Sequence, residues 1–210
     1  MILFALITLL SACKTKTTTP YDYSALQASM PRSILVIPPM NESIEVNAPY
    51  TFLSTISKPL AEKGYYVFPV AVIDKLMKEN GLPTPAEMNS VPLDKLREQT
   101  GADAILYVNI KNWGQKYELI TSKGVTHAEL KLVDTKTGLT LWDATAYAEE
   151  SSGDGGGGLA GMLLSAIISQ VVGSLSDNTP RLSSAGNFQA INNSSYGLLN
   201  GPYKPVTIPQ

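Results

Sequence analysis

The sequence predicts an α/β fold: a single domain in which helices flank a mixed sheet of four to six strands. Three observations carry that prediction. Ser33-Ile34-Leu35-Val36-Ile37-Pro38-Pro39 is a short continuous apolar run closed by two prolines, the pattern of a strand buried on both faces beneath helices. Residues 33–70 then read as strand, helix and strand, which implies a parallel pair with a right-handed crossover. From Ala104 the period changes: Leu106, Val108 and Ile110 alternate with Tyr107, Asn109 and Lys111, as in a sheet with one buried face.

Taken in order, Lys14 to Met30 is Thr-rich and poor in large aliphatics, so it reads as a tether. Asn41 to Pro49 is polar and loop-like. Tyr50 to Lys63 spaces Phe52, Leu53, Ile56 and Leu60 three or four apart, predicting an amphipathic helix ended by Gly64. Tyr65 to Val70 is the second strand, and Ala71 to Glu79 a helix with Val72, Ile73, Leu76 and Met77 on one side, stopped by Asn80-Gly81. A proline-rich loop, Leu82 to Pro92, leads to a short helix at Leu93 to Thr100. Gly101 then resets the chain into a strand from Ala104 to Trp113. Tyr117 to Thr121 fits a further strand before a Ser122-Lys123-Gly124 turn. Strands at Thr126 to Asp134 and Leu139 to Ala148 are joined by a hairpin connection with Gly138 in it. The sheet is therefore expected to be parallel in its first half and antiparallel in its second.

The amino terminus sets where this domain works. Ile2 to Leu10 is apolar except for Thr8, and Ser11-Ala12 precede Cys13, the only cysteine. This resembles the lipobox of bacterial lipoproteins, which implies a lipid on the Cys13 thiol and cleavage between Ala12 and Cys13. The other reading is a cysteine buried in the first helix of a core. The run is too short for a finished transmembrane helix, which favours a cleaved signal, although no Lys or Arg precedes it. Lys14, rather than Asp, resembles the pattern of lipoproteins passed to the outer membrane of a Gram-negative cell. Several acyl chains on one residue hold far better than one, because each buried methylene adds roughly 0.8 kcal/mol. The expected layout is a signal peptide at 1–12, lipidated cysteine and tether at 13–31, the α/β domain at 32–150, a Gly-rich hinge at 151–158, an apolar helix at 159–176 and a C-terminal arm at 177–210.

Composition excludes several functions. With 44% hydrophobic and 16% charged residues, the chain suits one ordinary globular domain plus tails. A net charge of −2 and the lack of any Lys/Arg cluster argue against nucleic-acid binding, which needs a basic stripe. With Cys13 committed to lipid, no thiol remains for a disulfide, a redox pair or a thiolate metal site, and a single histidine rules out sites needing two imidazoles. No cofactor and no metal are expected.

Gly101-Ala102-Asp103-Ala104-Ile105-Leu106-Tyr107-Val108, followed by Leu132-Val133-Asp134-Thr135-Lys136-Thr137-Gly138-Leu139-Thr140-Leu141-Trp142, is similar to a family of envelope lipoproteins of the neisserial surface-lipoprotein type. The resemblance covers roughly residues 10–150 and the closing Gly197 to Pro205. It implies a periplasmic α/β domain like the N-terminal domain of TolB, and genetic proximity to lipoproteins resembling the curli secretion channel. The same domain type occurs in lipoprotein activators of peptidoglycan synthases. It implies no chemistry, since Thr137 to Trp142 form a turn rather than a site.

Ser151 to Gly158 is glycine-rich before a predicted helix but lacks the Lys-Ser/Thr pair of a P-loop and the spacing of a dinucleotide fingerprint, so it reads as a hinge. Leu159 to Leu175 carries no charge. Its small residues Gly161, Ser165, Ser169 and Gly173 recur every fourth position along one face, where another backbone could approach closely. Such a helix spans about 25 Å, a little short for a bilayer core. Burial in its own domain, packing on a second copy or another protein, and membrane insertion all remain open. His127 shares a strand face with Glu129 and Lys131, the setting of a solvated side chain; as a catalytic base it would need a nucleophile that no motif supplies. Glu149, Glu150 and Asp154 form an acidic patch without the ligand spacing of a Ca²⁺ loop. Tyr21, Tyr23, Trp113, Tyr117, Trp142 and Tyr203 could form an aromatic surface or serve packing, and Tyr196 to Tyr203 reads as an arm laid across the domain or docked on a partner.

The expected function is that of a non-enzymatic lipoprotein, anchored in the outer membrane through Cys13 and facing the periplasm. Other envelope lipoproteins are its expected partners, with a homodimer possible. A small-ligand or solute binder is the alternative, and a cell-wall or lipid hydrolase a third.

Overall fold

The computed structural model describes residues 20–117, 122–151 and 178–205. The expected signal segment, Cys13, the expected hinge from residue 152 onward and the expected apolar helix all lie outside them, whereas Ser151 ends a strand. Six strands, β1 (Ser33–Val36), β2 (Met40–Asn41), β3 (Tyr66–Val67), β4 (Ala104–Tyr117), β5 (Ser122–Asp134) and β6 (Thr140–Ser151), make one mixed sheet in the order β3-β1-β4-β5-β6, with β2 also paired to β4. β1 runs parallel to β3 and β4, β2 runs parallel to β4, and β4, β5 and β6 are antiparallel neighbours. The helices are α1 (Ser24–Ser29), α2 (Ala48–Glu62), α3 (Val70–Glu79), α4 (Pro85–Asn89), α5 (Leu93–Thr100) and α6 (Thr179–Asn192).

Every residue of β1 is buried because the sheet is covered on both sides there. Ile34 and Val36 join a core that includes Leu26 of α1, Phe52, Ile56 and Leu60 of α2 and Ile191 of α6. Leu35 and Ile37 point the other way, into a second core with Ile73 and Met77 of α3, Met88 of α4 and Leu96 of α5. The antiparallel half is one-sided: Ala128, Leu130 and Leu132 are buried while Glu129 and Lys131 are exposed. That alternation follows from the two-residue period of a strand.

Several boundaries differ from the pattern reading. Ser122 to Gly124 is strand, with Lys123 opposite Lys116 and Ser151, so the expected turn there is corrected. Strand length was set by the partner strands, which a single segment does not carry. Leu82 to Pro92 is not all loop: Thr84 and Glu87 form a reciprocal capping box that starts α4. On α3 only Ile73 and Met77 are buried, whereas Val72 is 59% and Leu76 40% exposed. Ile73 and Met77 pack with Leu35 and Ile37, Met88 of α4 and Leu96 of α5, so a single stripe of α3 meets that core.

The largest difference is α6, within the stretch read as an arm. Its inward face is Leu182, Ser183, Gly186, Asn187, Ala190 and Ile191, mostly small or polar, so it gives almost no aliphatic periodicity. It seats against α2 through a buried polar cluster: Thr55 Oγ1 lies 2.7 Å from Ser183 Oγ, and Asn187 Nδ2 donates to Thr55 Oγ1 at 3.0 Å. Past α6 the chain does cross the domain as an ordered strap. Tyr23 Oη donates to Gly197 O at 2.6 Å, Trp142 Nε1 to Tyr196 O at 2.7 Å and Tyr65 Oη to Leu199 O at 2.9 Å. Gly201 N and Tyr203 N bond to Lys63 O and Gly64 O at 2.7 and 3.0 Å.

Candidate interaction cleft

Parallel strands end β1 at Val36, and the chain then turns through Pro38-Pro39 into β2 and the loop before α2. Ligand and partner sites of open α/β sheets lie at this carboxyl end of the strands. Here a cleft of about 450 Å³ lies between that loop, the start of α2, α3 and α4. Its floor is apolar, with Leu53 and Met88 buried. Pro38, Pro49, Pro83 and Pro85 line it, and each fixes its own φ, which stiffens the walls.

The rim exposes large apolar side chains. Ile44 is 100%, Val46 78% and Tyr50 57% exposed. The loop is nevertheless braced from within. Asn41 Oδ1 accepts from Ser43 N at 3.0 Å and Ser43 Oγ at 2.7 Å, while Asn41 Nδ2 donates to Glu45 O at 2.9 Å. Glu45 Oε1 accepts from Asn47 N at 3.3 Å, and Glu42 N donates to Ile110 O at 2.9 Å. Ile44 and Val46 are thus held outward on a loop whose ordering cost is already met, which favours docking over local collapse.

Charges edge this surface. Glu42 accepts from Lys111 Nζ and Asn109 Nδ2, each at 2.7 Å, and the hydrogen bond from Lys111 is the main reason its carboxyl sits below the ordinary carboxylate value. Lys78 donates to Asp74 at 2.7 Å, which raises its pKa, and its ammonium lies 5.5 Å from the centre of the Tyr50 ring. The cation holds the exposed ring in place.

The other residues singled out from the sequence disperse. His127 is half-buried, with its ring edge-on to Tyr147 at 5.8 Å. Glu150 accepts from Arg181 and, at 3.3 Å, from Asn178, while Glu149 accepts from Tyr147 Oη at 2.5 Å. These two glutamates are therefore strand residues with partners, and Asp154 lies outside the described residues. Among the described residues no three His, Cys, Asp or Glu side chains gather as a metal group. Among the described aromatics Tyr21 and Tyr23 pack ring to ring at 4.8 Å, Tyr23 and Trp142 fasten the C-terminal strap, Trp113 is buried and Tyr203 is exposed, while the side chain of Tyr117 is outside the described set. Ala12, Cys13, Gly161, Ser165, Ser169 and Gly173 are also outside it. Pattern reading passed over the 41–47 loop as polar; its one signal was a pair of large aliphatics, Ile44 and Val46, among Asn, Glu and Ser.

The GNA1162-like lipoprotein family model matches residues 21–203 of the chain. The chain belongs to this family. It is 37% identical over 199 residues to the lipoprotein NMB1124/NMB1162 of Neisseria meningitidis serogroup B, a match that covers 94% of this chain and 93% of that one. It is also similar to the crystal structure of lipoprotein GNA1162 from Neisseria meningitidis, with a TM-score of 0.57 and 41% identity over 67% of this chain and 97% of that chain. The family match spans the α/β domain and runs to residue 203, and lipoprotein membership implies a membrane-anchored protein of the cell envelope.

Proposed function

We propose that the protein is a non-catalytic assembly component of an envelope complex serving secretion or the cell wall, and that the cleft beside Ile44, Val46 and Tyr50 receives an apolar segment of another envelope lipoprotein. In this reading Cys13 carries the lipid, the anchor lies in the outer membrane and the domain faces the periplasm. The observation that carries the proposal is the rigid, outward-held apolar rim, because an exposed cluster of large aliphatics above a stiff cleft marks an interaction site on a soluble domain. Lys14 supports the choice of membrane.

The test is affinity capture from a crosslinked, detergent-solubilised native envelope, comparing wild type with Cys13→Ala and with Ile44→Asp/Val46→Asp. The expected result is a second lipoprotein or a cell-wall synthase that comes down with wild type, weakens without the anchor and is lost with the charged rim. An identical set of captured proteins from wild type and the rim variant would sink the assignment to this cleft. A second reading, a small-ligand binder, is favoured by the cleft volume, which lies in the range of ligand pockets. Thermal shift against a ligand panel separates the two, since a docking cleft gives no shift.

A further inference from the structure

A second cavity, of about 380 Å³, opens at the opposite end of the parallel strands. We propose that it seats the phosphodiester headgroup of an anionic membrane lipid. Its wall includes Ala25, Ser29 and Met30 from α1 and the residue after it, with Leu139 just before β6 and Leu141 at its start; Arg32, Arg97 and Lys136 supply the cations.

The two acids in this wall are turned to internal use. Asp134 Oδ1 accepts from Lys136 N and Thr137 N, both at 2.8 Å, and from Thr137 Oγ1 at 3.1 Å, while Oδ2 accepts from Ser29 Oγ. Asp103 Oδ2 accepts from Arg32 N at 3.0 Å and Ser33 Oγ at 3.2 Å. The cations are left with little. Arg97 Nη1 donates to Thr135 Oγ1 at 3.1 Å, Arg32 Nε lies 3.9 Å from Asp103, and the Lys136 ammonium has no hydrogen-bond or ion-pair partner among the described residues. Three cations with spare donors against two satisfied carboxylates make a local positive site on a chain of net charge −2. Met30 is 70% and Leu139 57% exposed at the same place, so aliphatic side chains flank the cations, as at the boundary between headgroups and acyl chains.

Position supports a lipid as the source of the phosphate. α1 lines the cavity, and the seven residue steps from Cys13 to Pro20 reach at most about 25 Å, so an anchored chain holds this end of the domain at the membrane surface. The orientation rests on anchoring at Cys13; the test does not. Full-length protein carrying Cys13→Ala is mixed with phosphatidylcholine vesicles, with and without phosphatidylglycerol, and its flotation is measured. Binding through apolar residues 2–10 is read by the vesicles without phosphatidylglycerol.

The expected result is phosphatidylglycerol-dependent binding that falls roughly 30-fold in Arg32→Gln/Lys136→Gln at low salt. It should be unchanged in Lys58→Gln/Lys75→Gln, which removes the same charge from exposed sites elsewhere. Equal flotation with and without phosphatidylglycerol, or equal loss in both double variants, overturns the proposal. So does saturable binding of inorganic phosphate without vesicle binding, which would identify a free anion as the ligand. Failure here leaves lipidation at Cys13 intact, because that residue is absent from every arm.

Discussion

Gly64→Ala tests how the C-terminal strap is fastened to the domain. Gly64 has φ +88°, and a Cβ built there would lie 2.2 Å from Lys204 N and 2.6 Å from Lys204 Cα, so backbone has to move. The left-handed conformation costs a residue with a side chain about 1–2 kcal/mol. Lifting the strap also breaks the bonds from Gly201 N to Lys63 O and from Tyr203 N to Gly64 O, each contributing roughly 1 kcal/mol net. The expected loss is about 3–4 kcal/mol, read as a fall in Tm of roughly 6–16 °C for a domain of this size. Thermal unfolding followed by tryptophan fluorescence is the assay, because Trp142 Nε1 is bonded to Tyr196 O at the head of the strap. Gly81→Ala is the control: its φ is +82° with nothing within 4 Å, so it should lose the conformational part alone. Equal losses in the two variants would refute the claim that the strap contact stabilises the fold.

Other outcomes follow from the same geometry. Trp142→Phe keeps most of the buried ring volume but removes the donor to Tyr196 O, and should cost about 1–3 kcal/mol in urea unfolding; an unchanged midpoint would refute a stabilising role for this bond. Burial alone would raise the Asp134 carboxyl, but hydrogen bonds from Ser29, Thr137 and Lys136 outweigh it and hold the pKa below its ordinary 3.8. Stability from Asp134 is therefore present above about pH 4 and lost as pH falls through the lower folded value. Asp134→Asn should flatten the acid limb of a stability-pH curve, and superimposable limbs would contradict the assignment. Tyr21 and Tyr65, through burial, and Tyr147, through its bond to Glu149, are pushed up to about 12. Because the unfolded value is near 10, their contribution is intact below pH 10 and disappears as pH rises toward 12. Ultraviolet titration should show a late group of tyrosines reaching toward pH 12, with one fewer in Tyr65→Phe; a single transition of all ten tyrosines near 10 would rule the shifts out.

The fold was legible where apolar pattern and burial coincide. Ile34 to Ile37 are buried on both faces, and the 3.6-residue spacing of Phe52, Ile56 and Leu60 places them in one core. α6 was not legible, because a face of Ser183, Gly186 and Asn187 packs by close approach and hydrogen bonding, which leaves no hydrophobic period. The candidate cleft was legible only as a composition anomaly, Ile44 and Val46 in a polar loop.

The sequence by itself determined the sheet's parallel and antiparallel halves, the lipobox-like amino terminus and the family, because periodicity and short motifs are written in consecutive residues. Only the tertiary structure decided that Ile44 and Val46 stand outward on a braced loop, and that Arg32, Arg97 and Lys136 meet around one cavity. It also decided that residues 196–204 close over Gly64. The physical reason is common to all three: each depends on which segments the sheet order brings side by side, and no local pattern encodes distance between residues far apart in the chain.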